Sequence, residues 1–321
     1  MARIGAAIPL ETLSILEQRE FIQELEGLGY SDLWSSEAQD IDGFTPLVLA
    51  SQWAPSMRLG CAVFPVQTRG PALLAMSVAG ICQAAPGRFT MGIGSSSSFI
   101  VEDWNGIPFR KPYQHTRDTA RFLREVLKGE MVDHDYETFS VHNFRLNRAV
   151  PEQPPILIGA LRQGMLELAG RAGDGAILNW IGAEDIAKAA SFVKKYGDDK
   201  EIAARVVVCP TEDAERVRNI ARYYVTGYLT VPTYRAQQEW LGRGPLLQPM
   251  WDRWEAGDRK GALSIVPDEV LDTFYIHGPP EKVRDRLREF LDAGVDTLIV
   301  AVLEAGMDPR DAYRLVAPST W

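Results

Sequence analysis

The segment MGIGSSSSFIVEDWNG, Met91 to Gly106, sets Gly94 and the serines Ser95, Ser96, Ser97 and Ser98 directly after the strand-like run Phe89–Ile93. Small residues let a ligand approach the backbone closely, and hydroxyls supply hydrogen-bonding groups without charge. The same composition also suits a solvated Ser-rich turn. A second stretch, IGALRQG, places the small Gly159 and Ala160 before Leu161, Arg162 and Gln163. An anion there would meet the free N–H groups of a following helix and two side-chain donors, the alternative being that Arg162 caps a surface turn.

Other chemistries fit less well. MGIGSSS begins as G-x-G but has no third glycine and follows the fourth strand, so it is a poor dinucleotide fingerprint. It also lacks the second glycine of a G-x-S-x-G nucleophile elbow. His115, His134, His142 and His277 show neither H-x-x-x-H nor H-E-x-x-H spacing, and no catalytic metal is expected. Cys61, Cys82 and Cys209 are scattered without C-x-x-C spacing, which suggests neither a zinc site nor a disulfide framework and fits a reducing compartment. Carboxylates are abundant, and none pairs off as a glycosidase dyad without geometry.

The elements that must position these residues alternate. Strands are expected at Arg3–Ile8, Asp32–Ser36, Met57–Val63, Phe89–Ile93, Pro155–Gly159, Gly175–Asn179, Ala204–Pro210 and Val295–Val302. Helical periodicity lies between them. The first helix is expected over residues 11–30, on the recurrence of Leu13, Leu16, Phe21, Leu25 and Leu28, and is closed by Gly29. Eight strand–helix units predict one (β/α)8 TIM barrel spanning residues 1–321, whose C-terminal mouth carries the Ser run. Two segments exceed the pattern. Residues 133–151 read as a hairpin-like excursion, and residues 230–266, with Trp240, Trp251 and Trp254, read as an insertion at the mouth. That Trp cluster could be a satellite core or a ligand wall.

With 321 residues, 46% hydrophobic content and a net charge of −9, the chain can bury a large core. It has no Lys/Arg cluster for a nucleic acid and no apolar run of about 18 residues for a membrane span. The opening MARIGAAIPLETL lacks the apolar core of a signal peptide, so a cytoplasmic protein is expected.

Several stretches together resemble the luciferase-like monooxygenase superfamily, in its deazaflavin (coenzyme F420)-dependent oxidoreductase branch. They are RIGAAI, SDLWSSE, MRLGCAV, GRFTMGIGSSSSFIVEDWNG, PPILIGALRQGMLELAGRAGDGAIL and HGPPEKVRDRLREFLDAGVDTLIV. The resemblance implies coenzyme F420, with FMN as the alternative, lying in the mouth with its ring against the end of strand three and its phosphate near strands four and five. Cys61, Ala62 and Val63 match the segment that in relatives bulges under the ring through a non-prolyl cis peptide. Gly94, Ser95, Ser96, Ser97, Gly159, Ala160, Leu161, Arg162 and Gln163 would then bind the cofactor.

The implied reaction is hydride transfer between the deazaflavin and a small organic substrate. Glu37 falls where related sugar-phosphate dehydrogenases have a catalytic His, and could relay a proton if burial raised its pKa, or could equally be a salt-bridged loop carboxylate. Ser97 falls where those enzymes have a catalytic Glu, which makes sugar-phosphate oxidation doubtful. Trp34, Trp104 and Trp180 could meet a ring or substrate, or be ordinary core. A homodimer is implied, with apolar helix faces such as FTPLVLASQW as candidate surface. An FMN-dependent monooxygenase and a non-catalytic cofactor-binding barrel are the competing readings.

Overall fold

The computed structural model describes residues 2–321. Strands β1 (Arg3–Ala7), β2 (Asp32–Ser35), β3 (Arg58–Cys61), β5 (Phe89–Gly94), β8 (Ile156–Gly159), β9 (Gly175–Leu178), β10 (Glu201–Cys209) and β12 (Thr297–Val302) pair in parallel in that order. The sheet closes because β1 pairs with both β2 and β12. Helices α1 (Gln18–Gly27), α2 (Thr45–Trp53), α3 (Pro71–Ala84), α4 (Pro112–Val126), α5 (Gln163–Ala172), α6 (Ala183–Lys194) and α12 (Pro280–Asp292) lie between successive strands, and α13 (Pro309–Leu315) follows β12. This is the expected (β/α)8 barrel.

Alternation along each strand divides the side chains into two sets. Leu33, Leu59, Met91, Ile158, Leu178, Ala204 and Leu298 point outward into the core under the helices. Trp34, Leu157, Ile177, Ala203 and Ile299 point inward and fill the barrel. Trp34 takes up so much of that space that its neighbours must be glycine. A Cβ on Gly60 would lie 2.5 Å from its ring and one on Gly5 2.6 Å from it. Trp34 is 1% exposed and is therefore barrel core beneath the mouth, with no face offered to a ligand.

Below it lies a polar floor. Arg58 donates to Asp32 (2.8 and 2.6 Å), Glu201 (3.0 and 2.8 Å) and Thr297 (2.9 Å), while Arg3 reaches the other Asp32 oxygen at 3.2 Å. Such a floor closes the N-terminal end of the barrel and leaves only the C-terminal end open.

Two excursions leave the repeat. Strands β6 (Val132–Asp135) and β7 (Ser140–Phe144) form the expected antiparallel hairpin. Between β10 and β12 the chain adds α7 (Ala214–Leu229), α8 (Pro232–Trp240), α9 (Gly244–Glu255), α10 (Arg259–Ile265), α11 (Asp268–Phe274) and β11 (Tyr275–His277), which pairs with β10. These helices build a second apolar cluster around Val225, Leu247, Trp251 and Leu271. Trp251 is 1% exposed and its Nε1 donates to Leu229 O at 2.8 Å, so it belongs to that cluster.

The first helix is shorter than its periodicity suggests. Residues 11–17 form turns, and Leu16 is 71% exposed. The cause is Gln18, whose buried amide accepts from Leu10 N (3.0 Å) and donates to Leu10 O (2.8 Å) and Leu13 O (3.0 Å). It satisfies backbone that a longer helix would have claimed. Gly29, at φ +90°, ends the helix as expected.

Candidate active site

The mouth is the surface made by the C-terminal ends of the strands and the loops that leave them. Past β3 the chain turns through Ala62 and Val63, joined by a cis peptide, into the short strand β4 (Phe64–Pro65), which pairs with β5. Three glycines face this bulge. A Cβ on Gly92 would lie 1.9 Å from the Cys61 carbonyl oxygen, one on Gly94 2.6 Å from Val63 Cγ2, and one on Gly159 3.3 Å from Val63 Cγ1. The bare glycine surface of β5 and β8 is therefore what admits the bulge, and Ala62 and Val63 remain half-exposed in the mouth. Cys61 is fully buried and points outward, and burial pushes its thiol well above the usual range. It supports the bulge from behind.

The Ser run leaves β5 as an irregular loop. Ser95, Ser96 and Ser97 are half-buried, Ser98 is exposed, and Ser96 has a left-handed backbone at φ +62°. Ser97 Oγ accepts from Ile100 N at 3.4 Å, and a π-helical turn, Phe99–Trp104, follows. Trp104, 43% exposed, packs edge-on against Phe99 at 5.1 Å on this turn rather than in the barrel. Beyond β8, Ala160 is buried, Leu161 half-buried, and Arg162 is the exposed N-cap of α5 without a side-chain capping bond. Gln163 turns away along its own helix and donates to Glu167 at 3.2 Å, so its amide faces solvent rather than the mouth.

Glu37 sits in the loop after β2 under three donors. Arg69 Nε and Nη2 reach its carboxylate at 2.9 and 2.6 Å, and Gly43 N donates to it at 2.9 Å. Arg69 also lies 5.1 Å over the Phe44 ring, which stacks on Phe64 at 4.0 Å. Ser35 Oγ donates to Gly43 O at 2.7 Å. The loops after β2 and β4 are thus locked together beside the cis bond. Glu37 is ion-paired to Arg69 and hydrogen-bonded to Gly43 N rather than isolated.

Arg69 was not singled out from the sequence, nor were two inward-facing mouth residues, Asn179 and Arg205. Arg205 aligns with Ile299 across the β10–β12 ladder and so shares its inward face. One signal was available: ARVVVC is an apolar strand interrupted by a single charge. Trp180, at φ +54° and 8% exposed, packs against Tyr228 (4.8 Å) and Phe274 (5.4 Å). Among the described residues no three His, Cys, Asp or Glu side chains cluster as metal ligands.

Residues 1–297 match the family model for luciferase-like monooxygenases. The chain belongs to the luciferase-like monooxygenase family. Within it, the chain is 26% identical over 312 residues to the 5,10-methylenetetrahydromethanopterin reductase of Archaeoglobus fulgidus, covering 94% of this chain and 93% of that one. Its fold is similar to that of the coenzyme F420-dependent tetrahydromethanopterin reductase of Methanopyrus kandleri, at a TM-score of 0.80 and 20% identity over 99% of this chain and 98% of that one. It is similar also to an F420-dependent secondary alcohol dehydrogenase in complex with an F420–acetone adduct, at a TM-score of 0.78 and 14% identity over 99% and 97% of the two chains.

Proposed function

We propose that this family member is a coenzyme F420-dependent oxidoreductase that transfers a hydride between the deazaflavin and a small organic substrate. The observation that carries the reading is the cradle at the mouth, where Gly92, Gly94 and Gly159 clear the surface around the Ala62–Val63 bulge. A flat ring can lie on such a surface; a side chain at Gly92 would strike the backbone of the bulge, and one at Gly94 or Gly159 would crowd the Val63 side chain. The residues present therefore fit a ring-bearing cofactor. When bound, coenzyme F420 supplies a two-electron hydride carrier poorly suited to oxygen activation.

This chain's own residues hold and orient it. Val63 and Ala62 support the ring, and the hydroxyls of Ser95, Ser96 and Ser97 with the backbone of Gly94 meet the oxygens of its tail. Arg162, free of any side-chain capping bond, meets the tail phosphate at the N-terminus of α5. Gly159, Ala160 and Leu161 bring that helix end close. Glu37, clamped by Arg69, fixes the loops on the substrate side, and this geometry favours positioning over proton transfer as its role.

Chain organisation and assembly follow the same reading. Residues 230–266 are an insertion in a single barrel domain, placed in the cytoplasm. A second copy of the chain covers the apolar surface formed by Val48 of α2 with Leu73 and Met76 of α3, which are 41, 52 and 50% exposed on adjacent helices. Sedimentation at micromolar concentration should give a dimer, and a monomer would refute the assembly.

The test of function is reoxidation of bound reduced F420 by candidate acceptors. Deazaflavin absorbance should recover without oxygen uptake. Oxygen consumption with bound FMN would instead favour the monooxygenase reading.

A further inference from the structure

Among the described residues Arg205 is an inward-facing cation at the barrel mouth with no partner. In the closed ring of eight strands, β3 is third and β10 seventh, so Arg205 stands diametrically across the mouth from the Ala62–Val63 bulge. It is half-buried, and its guanidinium makes no hydrogen bond or ion pair among the described residues. The other arginines that reach inward are satisfied. Arg58 binds Asp32 and Glu201 in the floor, and Arg69 binds Glu37. A half-desolvated guanidinium left without an acceptor is costly unless a ligand supplies one.

What surrounds Arg205 narrows that ligand. Its charge is felt by the phenols of Tyr234 and Tyr275, where burial is the larger effect, raises both pKa values and pushes Tyr234 up to about 12, while Arg205 opposes the rise. Tyr234 and Tyr275 belong to an aromatic cluster with Trp180, Tyr228 and Phe274, in which neighbouring ring centroids lie 4.8 to 6.4 Å apart; Trp180, Phe274 and Tyr275 are buried and Tyr228 is exposed. Asn179, one residue beyond β9 on the adjoining strand, accepts from Trp180 N at 3.0 Å through Oδ1, which leaves its amide N–H groups as donors.

Resting on the F420 reading above, we infer that Arg205 is a specificity-determining residue that binds an oxyanion of the substrate, and that the substrate is a flat molecule bearing a carboxylate or phosphate. The bulge and Arg205 stand on opposite sides of the mouth, so a substrate held by Arg205 would lie between β10 and a cofactor held at the bulge. Arg205 then grips the substrate and leaves the cofactor untouched, while Tyr228, 42% exposed at the edge of the aromatic cluster, offers its ring to the substrate's flat part. A charge-assisted guanidinium–oxyanion pair discriminates by charge as well as shape, so neutral analogues of the same outline should be bound poorly.

Two kinds of binding measurement on the F420 complex test this. Benzoate, benzamide and inorganic phosphate are titrated against it with tryptophan fluorescence as the readout, and F420 affinity is measured separately for each variant. Benzoate should bind the wild-type complex saturably and more tightly than benzamide. Arg205→Met and Arg205→Gln should weaken benzoate by roughly tenfold or more, leave benzamide unchanged, and leave the F420 dissociation constant within about twofold. Phosphate binding that depends on Arg205 would place phosphorylated acceptors in the class, and its absence would restrict the class to carboxylates. Failure of benzoate to bind the wild-type complex, or equal benzoate affinity in both variants, overturns the inference. Loss of F420 affinity in both variants would overturn it too, by making Arg205 a cofactor residue. A wild-type chain that does not bind F420 at all would defeat the underlying reading instead.

Discussion

Arg69 grips Glu37 from the side, Nε and Nη2 lying 2.9 and 2.6 Å from its two carboxylate oxygens, at 18 and 15% side-chain exposure. An ionised carboxylate satisfies these two donors and the Gly43 N–H together. Glu37→Gln and Arg69→Ala should therefore each lower stability by about 1.5–3 kcal/mol, and the double variant should lose little more than either alone. Turnover should fall in both with the pH profile unchanged in shape. Disappearance of one limb of that profile in Glu37→Gln alone would restore Glu37 as the proton-carrying group.

Gly94 borders Val63 closely enough that an added methyl must push the stiff, β-branched Val63 side chain out of place. Gly94→Ala should weaken F420 binding by roughly tenfold or more while shifting the melting temperature by only a few degrees, since overpacking of this kind costs about 1–3 kcal/mol. Gly92→Ala meets backbone, the Cys61 carbonyl, and should fail to give a stable fold. Thermal unfolding and cofactor titration of the two variants separate these outcomes.

The barrel floor links stability to pH. Burial alone would raise the Glu201 carboxyl, but hydrogen bonds and charge from Arg58, helped by Thr297, outweigh it and hold the pKa below the usual carboxylate value. A depressed folded-state value means that the contribution is complete above the unfolded-state value of about 4.3 and is lost as pH falls through the folded one. Arg58→Met leaves the half-buried Glu201 without its cation and the buried Asp32 with Arg3 alone, and should cost about 3–5 kcal/mol at pH 7. Denaturant titrations should show the gap between wild type and variant narrowing below pH 4.5. A pH-independent gap would remove this network from the stability account.

The barrel was legible because each strand is a short apolar run bounded by Gly, Pro or Asp, and the repeat occurs eight times. Less legible was anything decided by a side chain reaching across elements. Gln18 looks like a helix-surface residue, yet its amide shortens α1. Arg58, Asp32 and Glu201 look like ordinary charges near strand starts, and only barrel closure brings them together. Glu37 was found by its place after strand two, but its partner lies 32 residues away on another loop, and nothing local marks Arg69. Gln163 follows Arg162 in sequence and points elsewhere because helix geometry sets Glu167 one turn above it.

Arg162 stands at the N-terminus of α5 with no side-chain capping bond. Arg162→Ala should weaken F420 by roughly 10- to 100-fold, in keeping with one charge-assisted bond to the tail phosphate, and should leave thermal stability unchanged. Single serine replacements at Ser96 or Ser97 should matter less, because neighbouring hydroxyls and N–H groups remain. An unchanged F420 dissociation constant in Arg162→Ala would move the tail away from α5.

The most direct measurement is a paired equilibrium titration of the apoprotein with F420 and with FMN under identical conditions. Coenzyme F420 should bind at least about tenfold more tightly, a difference of about 1.4 kcal/mol. Equal affinity, or tighter binding of FMN, would contradict the assignment and make this barrel a flavin enzyme.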